Sequence, residues 1–359
     1  MLTGLQVQNF RSLRDASVSK LKRLNLVTGR NAGGKTSLLE AVFLNCGGAN
    51  ANLLFSINTF RGDTVLHAET DRVFSTCFSN LDIRKTITIS ADEKRQLKSR
   101  PRVLTIDGQT STQTKLGQAR PSTFLSGVHV RFSGANGKSS STVSMEYSDP
   151  TLPVGLPPAS PIHHTGGPNP KDVIFGQFLS PYVREAYHET YNQLTEVIKE
   201  KGVESLLKTL QLIQADIHGL EALTEQGQPM IYVDTGASKL LPASVLGAGF
   251  FHVLRLALSM SRIERGILLI DELEDGLHYK TFPRVLSAII DFLEHGKDTQ
   301  AFITTHSSEL IDSALKVVQE RGFNDFCLLN MTRSDDGTKI AYFSPDEVAY
   351  AKELEAELR

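Results

Sequence analysis

The chain of 359 residues is 40% hydrophobic and 22% charged, and its formal net charge is −2. This balance excludes a fibre, a disordered tail and a protein whose whole surface binds nucleic acid, and the length predicts one large domain or two. The 3 cysteines stand singly, which excludes a zinc ribbon and a disulfide scaffold.

The N-terminal residues show no apolar core or cleavage site of a signal peptide, so we expect a cytoplasmic protein. The most apolar run, Ala243 to Met260, contains His252 and Arg255. A run interrupted by such side chains is a poor membrane span, so we expect no membrane partner.

The first predicted unit is a strand, a glycine-rich turn and a helix. Residues 24–28 are strongly apolar, and a helical stripe of apolar residues begins at Leu38. The turn, Gly29 to Thr36, reads GRNAGGKT and satisfies G-x-x-x-x-G-K-[ST]. In this pattern backbone N–H groups surround phosphate oxygens, Lys35 reaches the outer phosphates, and the hydroxyl of Thr36 binds Mg²⁺. The sequence therefore predicts nucleotide contacts from Arg30, Asn31, Ala32, Gly33, Gly34, Lys35, Thr36 and Ser37.

The next stretch, about Asp82 to Lys138, alternates apolar and polar residues, which predicts an antiparallel sheet rich in hairpins. Its net charge is +7, which leaves −9 for the rest of the chain. Such a charge favours contact with a polyanion such as DNA. The same pattern is expected if the lysines and arginines protect exposed edge strands from aggregation, so both interpretations stay open.

Proline-rich residues 148–171 predict a linker or a long surface loop. Two helices are expected after it, over Phe178–Lys201 and Val203–Asp216, followed by two short strands and a helix from Gly249. From Ile267 onward strands and helices alternate, which predicts a parallel sheet covered by helices.

Two of these later strands end in residues suited to phosphate chemistry. The strand 267–270 is followed by Asp271 and Glu272, and the strand 301–304 is followed closely by His306. A carboxylate opposite the glycine-rich turn suits Mg²⁺, so Asp271 is the expected metal ligand and Glu272 the residue that polarises the attacking water. His306 is expected at the same edge of the sheet, where its ring can meet the γ-phosphate.

These elements, in this order, resemble the ABC-type ATPases of the SMC, RecF and OLD group. Residues 7–13 are similar to the N-terminal NFR strand of that group, residues 271–278 to its Walker B and D-loop, with Asp275 in the D-loop, and residues 304–307 to its H-loop. Within the group the chain resembles the stand-alone AAA15 or OLD-like ATPases that recur in bacterial anti-phage systems.

The resemblance implies an α/β fold, namely a P-loop NTPase head of the ABC type with an antiparallel β lobe, a parallel-sheet core and a small helical insertion. The expected units are an N-terminal lobe at 1–147, the proline-rich loop at 148–171, the helical insertion at 172–226 and a C-terminal lobe at 227–359. It also implies ATP and Mg²⁺ as cofactors and catalytic roles for Glu272 and His306.

The ABC signature of the group corresponds to residues 242–255, which depart from LSGGQ. Gly247 stands where the signature serine is expected, and Ser244 lies nearby. Through Gly247 and Gly249, this segment is expected to bind the γ-phosphate held by a second copy, which implies a homodimer or a higher oligomer. The Q-loop is either Gln177 or the stretch 122–126, and Arg61 is either a phosphate ligand or a solvated loop residue.

The function implied by the resemblance is an ATP-hydrolysing switch that controls a separate effector in anti-phage defence. The alternative is a RecF-like, DNA-binding ATPase of repair or recombination.

Overall fold

The computed structural model describes residues 1–62, 74–95, 98–113, 122–145, 162–182, 186–334 and 337–353. Its strands, numbered along the chain, are β1 (Leu2–Phe10), β2 (Leu13–Ser19), β3 (Leu24–Gly29), β4 (Ile87–Arg95), β5 (Lys98–Gln113), β6 (Ser122–Gly134), β7 (Gly137–Met145), β8 (Ile162–Gly167), β9 (Gly176–Leu179), β10 (Gly219–Glu225), β11 (Gln228–Asp234), β12 (Leu241–Pro242), β13 (Gly266–Ile270), β14 (Thr299–Thr304), β15 (Phe326–Ser334) and β16 (Gly337–Phe343). Its helices are α1 (Lys35–Cys46), α2 (Leu53–Thr59), α3 (Ala186–Lys199), α4 (Val203–Ile213), α5 (Gly247–Arg262), α6 (Phe282–His295), α7 (Ser308–Arg321) and α8 (Pro345–Glu353).

These strands form three sheets. The largest has the order β2-β1-β4-β5-β6-β7-β8 and is antiparallel throughout. The second has the order β16-β15-β3-β14-β13-β9, in which only the β15–β16 pair is antiparallel. A small sheet, β10-β11-β12, lies beside the helices α3 and α4. The expected α/β head, with an antiparallel lobe and a parallel core, is confirmed.

The parallel sheet is the wall between two hydrophobic cores. Along β13, Ile267 and Leu269 pack into the core shared with α1 and the antiparallel lobe, whereas Leu268 and Ile270 pack into the core shared with α5, α6 and α7. All five residues of β13 are buried, as are all six of β3 and of β14. Burial on both faces explains why β13 is a continuous apolar run instead of an alternating one.

Three expected boundaries differ from the structure. Residues 162–167 of the predicted proline-rich loop form strand β8, while its residues up to 161 lie outside the described ranges. The first residues of the predicted helix from Phe178 belong to strand β9 instead, and Pro181 disfavours helical geometry before it. The helix that the structure describes after them is α3, Ala186–Lys199. The boundary at 226/227 falls in the turn of the β10–β11 hairpin, so it divides one unit.

The segment Ala243–Arg262 is long and apolar enough to cross a membrane by length and composition alone. Half of that window is buried inside the protein. Its helix α5 places Leu254, Leu256 and Leu258 in the core, and this packing accounts for the apolar composition.

A buried arginine joins the antiparallel lobe to the end of α1. Arg102 on β5 is 2% exposed, and its guanidinium carbon lies over the ring of Phe132, 4.8 Å from the ring centroid. It donates hydrogen bonds to the Glu93 carboxylate at 3.2 Å and to the backbone oxygen of Asn45 at 2.7 Å, near the C-terminus of α1. A cation at a helix C-terminus also interacts favourably with the helix dipole. Arg102 therefore fixes α1 against the sheet.

Replacing Arg102 by methionine is expected to lower the free energy of unfolding by about 3–5 kcal/mol, because it leaves one oxygen of the buried Glu93 carboxylate and the backbone oxygen of Asn45 without their charged donor. The matched control is Arg131→Met, which breaks an exposed pair with Asp107 and is expected to cost about 0–1 kcal/mol. Urea unfolding followed by circular dichroism measures both. Equal losses in the two variants would contradict the role given to Arg102.

Candidate active site

A cavity of about 670 Å³ opens at the carboxyl ends of β3, β13 and β14. This volume is in the range of small-molecule sites. It is lined by Arg11, Ser12, Asn31, Ala32, Gly33, Gly34, Lys35, Thr36, Ser37, Arg61, Thr76, Phe78, Asn80, Leu81, Tyr182, Asp271, Glu272, His306 and Arg333. Most of the residues expected to bind nucleotide and metal therefore share one cavity.

The glycine-rich turn needs glycine at both of its ends. Gly29 has a φ of 136°, and a Cβ there would lie 2.3 Å from the backbone oxygen of Met331. Gly34 has a φ of 97° and stands immediately before α1, which has no side-chain cap. The backbone N–H groups at the start of α1 consequently face the cavity, where they can bind an anion.

Lys35 is 6% exposed, and burial lowers the pKa of its ammonium group. Its Nζ donates to the backbone oxygens of Gly29 at 2.7 Å and Arg30 at 3.2 Å, and it lies 3.3 Å from Nδ1 of His306. An ammonium group only donates, so Nδ1 is the acceptor and the neutral ring carries its proton on Nε2. Burial, reinforced by the nearby Lys35 charge, lowers the pKa of His306 and favours this neutral ring.

The predicted metal ligands meet across the cavity. Thr36 Oγ1 donates to Asp271 Oδ2 at 2.9 Å, and the other carboxylate oxygen of Asp271 accepts from Thr304 Oγ1 at 2.6 Å. Thr36 and Asp271 are 235 positions apart in the chain. A hydroxyl and a carboxylate are hard oxygen donors of the kind that Mg²⁺ prefers, so the residues present fit this ion.

Glu272 follows Asp271 with a φ of 52°, a left-handed conformation that non-glycine residues seldom adopt. Its backbone N–H donates to Thr304 Oγ1 at 2.8 Å. Burial, followed by the neighbouring Asp271 charge, raises the pKa of the Glu272 carboxyl group. A raised pKa makes this carboxylate a stronger hydrogen-bond acceptor for water.

Two acidic residues of the site were not singled out from the sequence. The first, Glu274, accepts a hydrogen bond from the backbone N–H of His306 at 2.5 Å and so holds the loop that carries the histidine.

The second, Glu40 on α1, is fully buried and lies 2.7 Å from Nε of both Arg11 and Arg61. Arg61 also donates to Ser37 Oγ at 3.2 Å. Arg61 is therefore a paired residue of the cavity wall and not a solvated loop residue.

Other predicted residues lie outside this cavity. Gly247 and Gly249 start α5, and a Cβ on Gly249 would lie 2.6 Å from the backbone oxygen of Gly276, in the segment of Asp275. Gln177 lies within β9, opposite Leu268, away from the lining. In this segment the cavity is lined not by β9 but by Tyr182, which follows it. The stretch 122–126 belongs to β6 of the antiparallel sheet.

The structure buries or pairs several cations of the basic stretch 82–138. Arg102 is buried, and the other paired arginines of the described part are Arg84 with Asp82, Arg95 with Glu93 and Arg131 with Asp107. Lys115 and Arg120 lie outside the described residues. The predicted polyanion contact is thereby narrowed to the ends of the β4–β5 and β6–β7 hairpins, which carry Lys94, Lys98, Arg100 and Lys138.

The glycine-rich turn, the carboxylates after β13 and the histidine after β14 surround one cavity in the arrangement of a P-loop ATPase head of the ABC type. Residues 24–312 match the family described as "AAA domain, putative AbiEii toxin, Type IV TA system". Because this match spans most of the chain, the protein belongs to that family.

The chain is also similar to individual proteins. An "ATP/GTP phosphatase" of Helicobacter pylori is 24% identical over 357 residues, which cover 94% of this chain and 93% of the relative. The RecF protein of Acetivibrio thermocellus is 45% identical over 42 residues, only 12% of this chain and 11% of RecF. A solved SMC head, bound in its crystal to the C-terminal winged-helix domain of ScpA, is 10% identical and superimposes with a TM-score of 0.52. The match covers 97% of this chain and 99% of that head, and it shows the shared fold.

Replacing Lys35 by methionine is expected to raise the pKa of His306, because the cation beside Nδ1 is removed. The burial of the ring, which lowers this pKa, and the carboxylates of Glu274 and Asp271, which raise it, remain in the variant. An NMR titration of the imidazole C–H signals measures this shift, with Lys316→Met on the exposed face of α7 as the control. An unchanged pKa of His306 in Lys35→Met would contradict the contact.

Proposed function

We propose that this chain is a Mg²⁺-dependent ATPase switch that dimerises head to head around ATP and thereby controls a separate partner. The observation that carries the proposal is the convergence of Lys35, Thr36, Asp271, Glu272 and His306 on one cavity. The phosphatase activity named for the Helicobacter pylori relative, which aligns over nearly the whole chain, supports it.

Each of these groups has a chemical role in hydrolysis. Lys35 and the Nε2–H of His306 donate to the oxygens of the γ-phosphate, where charge develops. Glu272 accepts a hydrogen bond from the attacking water and orients it. Thr36 and Asp271 would hold Mg²⁺, which would neutralise negative charge on the phosphate chain.

The replacement Glu272→Gln is expected to leave ATP binding intact and to slow hydrolysis by at least about a hundredfold, because the amide is a poor acceptor for a proton of water. Lys35→Ala is expected to abolish binding itself. Calorimetry with ATP and a phosphate-release assay separate the two effects, and Glu221→Gln on the exposed face of β10 is the control. Hydrolysis at the normal rate in Glu272→Gln, or undiminished binding in Lys35→Ala, would overturn the proposed roles.

A second copy is required for the signature segment to act. Gly247, Gly249 and Asp275 lie outside the cavity of their own chain, so in this proposal they complete the site of the partner. Large apolar side chains beside them are exposed, with Val245 at 67% and Tyr279 at 54%. Apolar residues in such positions are suited to an interface that forms only when nucleotide is bound.

Adding Val245→Asp to the Glu272→Gln variant is expected to prevent the ATP-dependent dimer, since it places a charge in the proposed interface. Val245 is exposed, so the stability of the monomer should be unchanged. Light scattering with ATP and Mg²⁺ measures the mass, and Leu212→Asp on α4, also exposed, is the control. Dimers that persist in the Val245→Asp variant would place the interface elsewhere.

For the biological role we favour control of an effector in anti-phage defence. The family description names a type IV TA system, which supports action together with a second component. The alternative is a RecF-like role in DNA repair, which the short, 45% identical match to RecF supports. A nuclease or toxin gene beside this one would favour defence, and replication genes would favour repair.

A further inference from the structure

One buried hydroxyl contacts both carboxylate residues of the cavity. Thr304, the last residue of β14, is fully buried and does not itself line the cavity. Its Oγ1 donates to Asp271 Oδ1 at 2.6 Å and accepts the backbone N–H of Glu272 at 2.8 Å. A hydroxyl has one donor and two acceptor positions, so this oxygen serves both contacts at once.

The strand register explains why the hydroxyl lies there. β13 and β14 are parallel and pair Ile270 with Ile303, so Asp271 and Thr304 are the next residues on neighbouring strands. The chain after Asp271 then turns over the end of β14, where the N–H of Leu273 donates to the backbone oxygen of Thr304 at 3.2 Å. The segment that carries Asp271 and Glu272 is thus attached to Thr304 through both its side chain and its backbone.

The two hydrogen bonds of Thr304 restrain the two residues, Asp271 and Glu272, that the proposed hydrolysis uses. Asp271 directs Oδ2 to Thr36 while Oδ1 is held by Thr304, so the bond from Thr304 fixes the rotation of the carboxylate. Glu272 adopts a left-handed φ of 52°, which a non-glycine residue adopts only when its surroundings hold it. The hydrogen bond from its N–H to Thr304 is such a restraint.

We propose that Thr304 is a positioning residue of this ATPase, which orients the Asp271 carboxylate toward Thr36 and holds the backbone of Glu272. The proposal rests on the ATPase function proposed above. In this role Thr304 aligns the residues that bind metal and water but does not set the affinity for nucleotide. The contacts of Lys35 and the glycine-rich turn do not involve Thr304.

The test compares Thr304→Val, which keeps the shape and removes the hydroxyl, with Thr304→Ser, which keeps the hydroxyl. Thr304→Val is expected to lower kcat for ATP about tenfold to a hundredfold, with KM changed by less than about threefold, because a hydrogen bond to a charged group is lost in the aligned state. It should also raise about tenfold the Mg²⁺ concentration needed for half-maximal nucleotide binding in calorimetry. Thr304→Ser should restore both quantities to within about threefold.

The control is Thr28→Val on β3, another fully buried threonine, whose hydroxyl accepts from Asn330 at 3.2 Å and touches neither carboxylate. It should keep the kcat and the Mg²⁺ dependence of the original chain. Melting followed by circular dichroism establishes that each variant is folded. If Thr304→Val does not fold, Thr304→Cys, with a weak donor of similar size, takes its place and is expected to lie between valine and serine.

A normal kcat and Mg²⁺ dependence in folded Thr304→Val would overturn the proposal, as would a Thr304→Ser variant impaired as strongly as Thr304→Val. If the original chain hydrolyses no ATP, the proposed ATPase function fails instead. In that case the Mg²⁺ dependence of nucleotide binding still decides the role of Thr304.

Discussion

The parallel register of three neighbouring strands is the constraint on which the site depends. β3, β14 and β13 are hydrogen-bonded side by side, so their carboxyl ends lie at one edge of the sheet. The glycine-rich turn follows β3, the carboxylates follow β13, and His306 follows β14. Residues far apart in the chain meet there because each strand is buried between two cores. The packing that stabilises the fold is therefore also what assembles the cavity.

Much of this arrangement could be predicted because its signals are local. The run from Gly29 to Thr36 specifies a turn that only glycine tolerates at two positions, and Ile267 to Ile270 is apolar on both faces, as a strand covered on both sides must be. Once these strands are taken as parallel, the residues after them must converge. The cavity lined by Lys35, Asp271 and His306 follows from that rule alone.

The rest depends on long-range pairing that leaves no periodic pattern. Glu40 looks like an ordinary polar residue of α1, and only the packing of that helix against Arg11 and Arg61 makes it fully buried. Arg102 looks like a surface cation of an alternating strand, whereas the end of α1 covers it. Thr304 resembles any threonine of a β-strand. In each case the partner is set by tertiary contact and not by spacing.

The charges of the cavity are distributed in a way that fits the proposed ligand. Arg11, Lys35, Arg61 and Arg333 line it together with Asp271 and Glu272. The cations suit a phosphate chain, while the two carboxylates would repel one that carried no metal ion. A nucleotide combined with a divalent cation matches both signs. Burial, and after it the same crowding of carboxylates, raises the pKa of Glu272, so the charges that would favour a metal complex also help to make this residue more basic toward the attacking water.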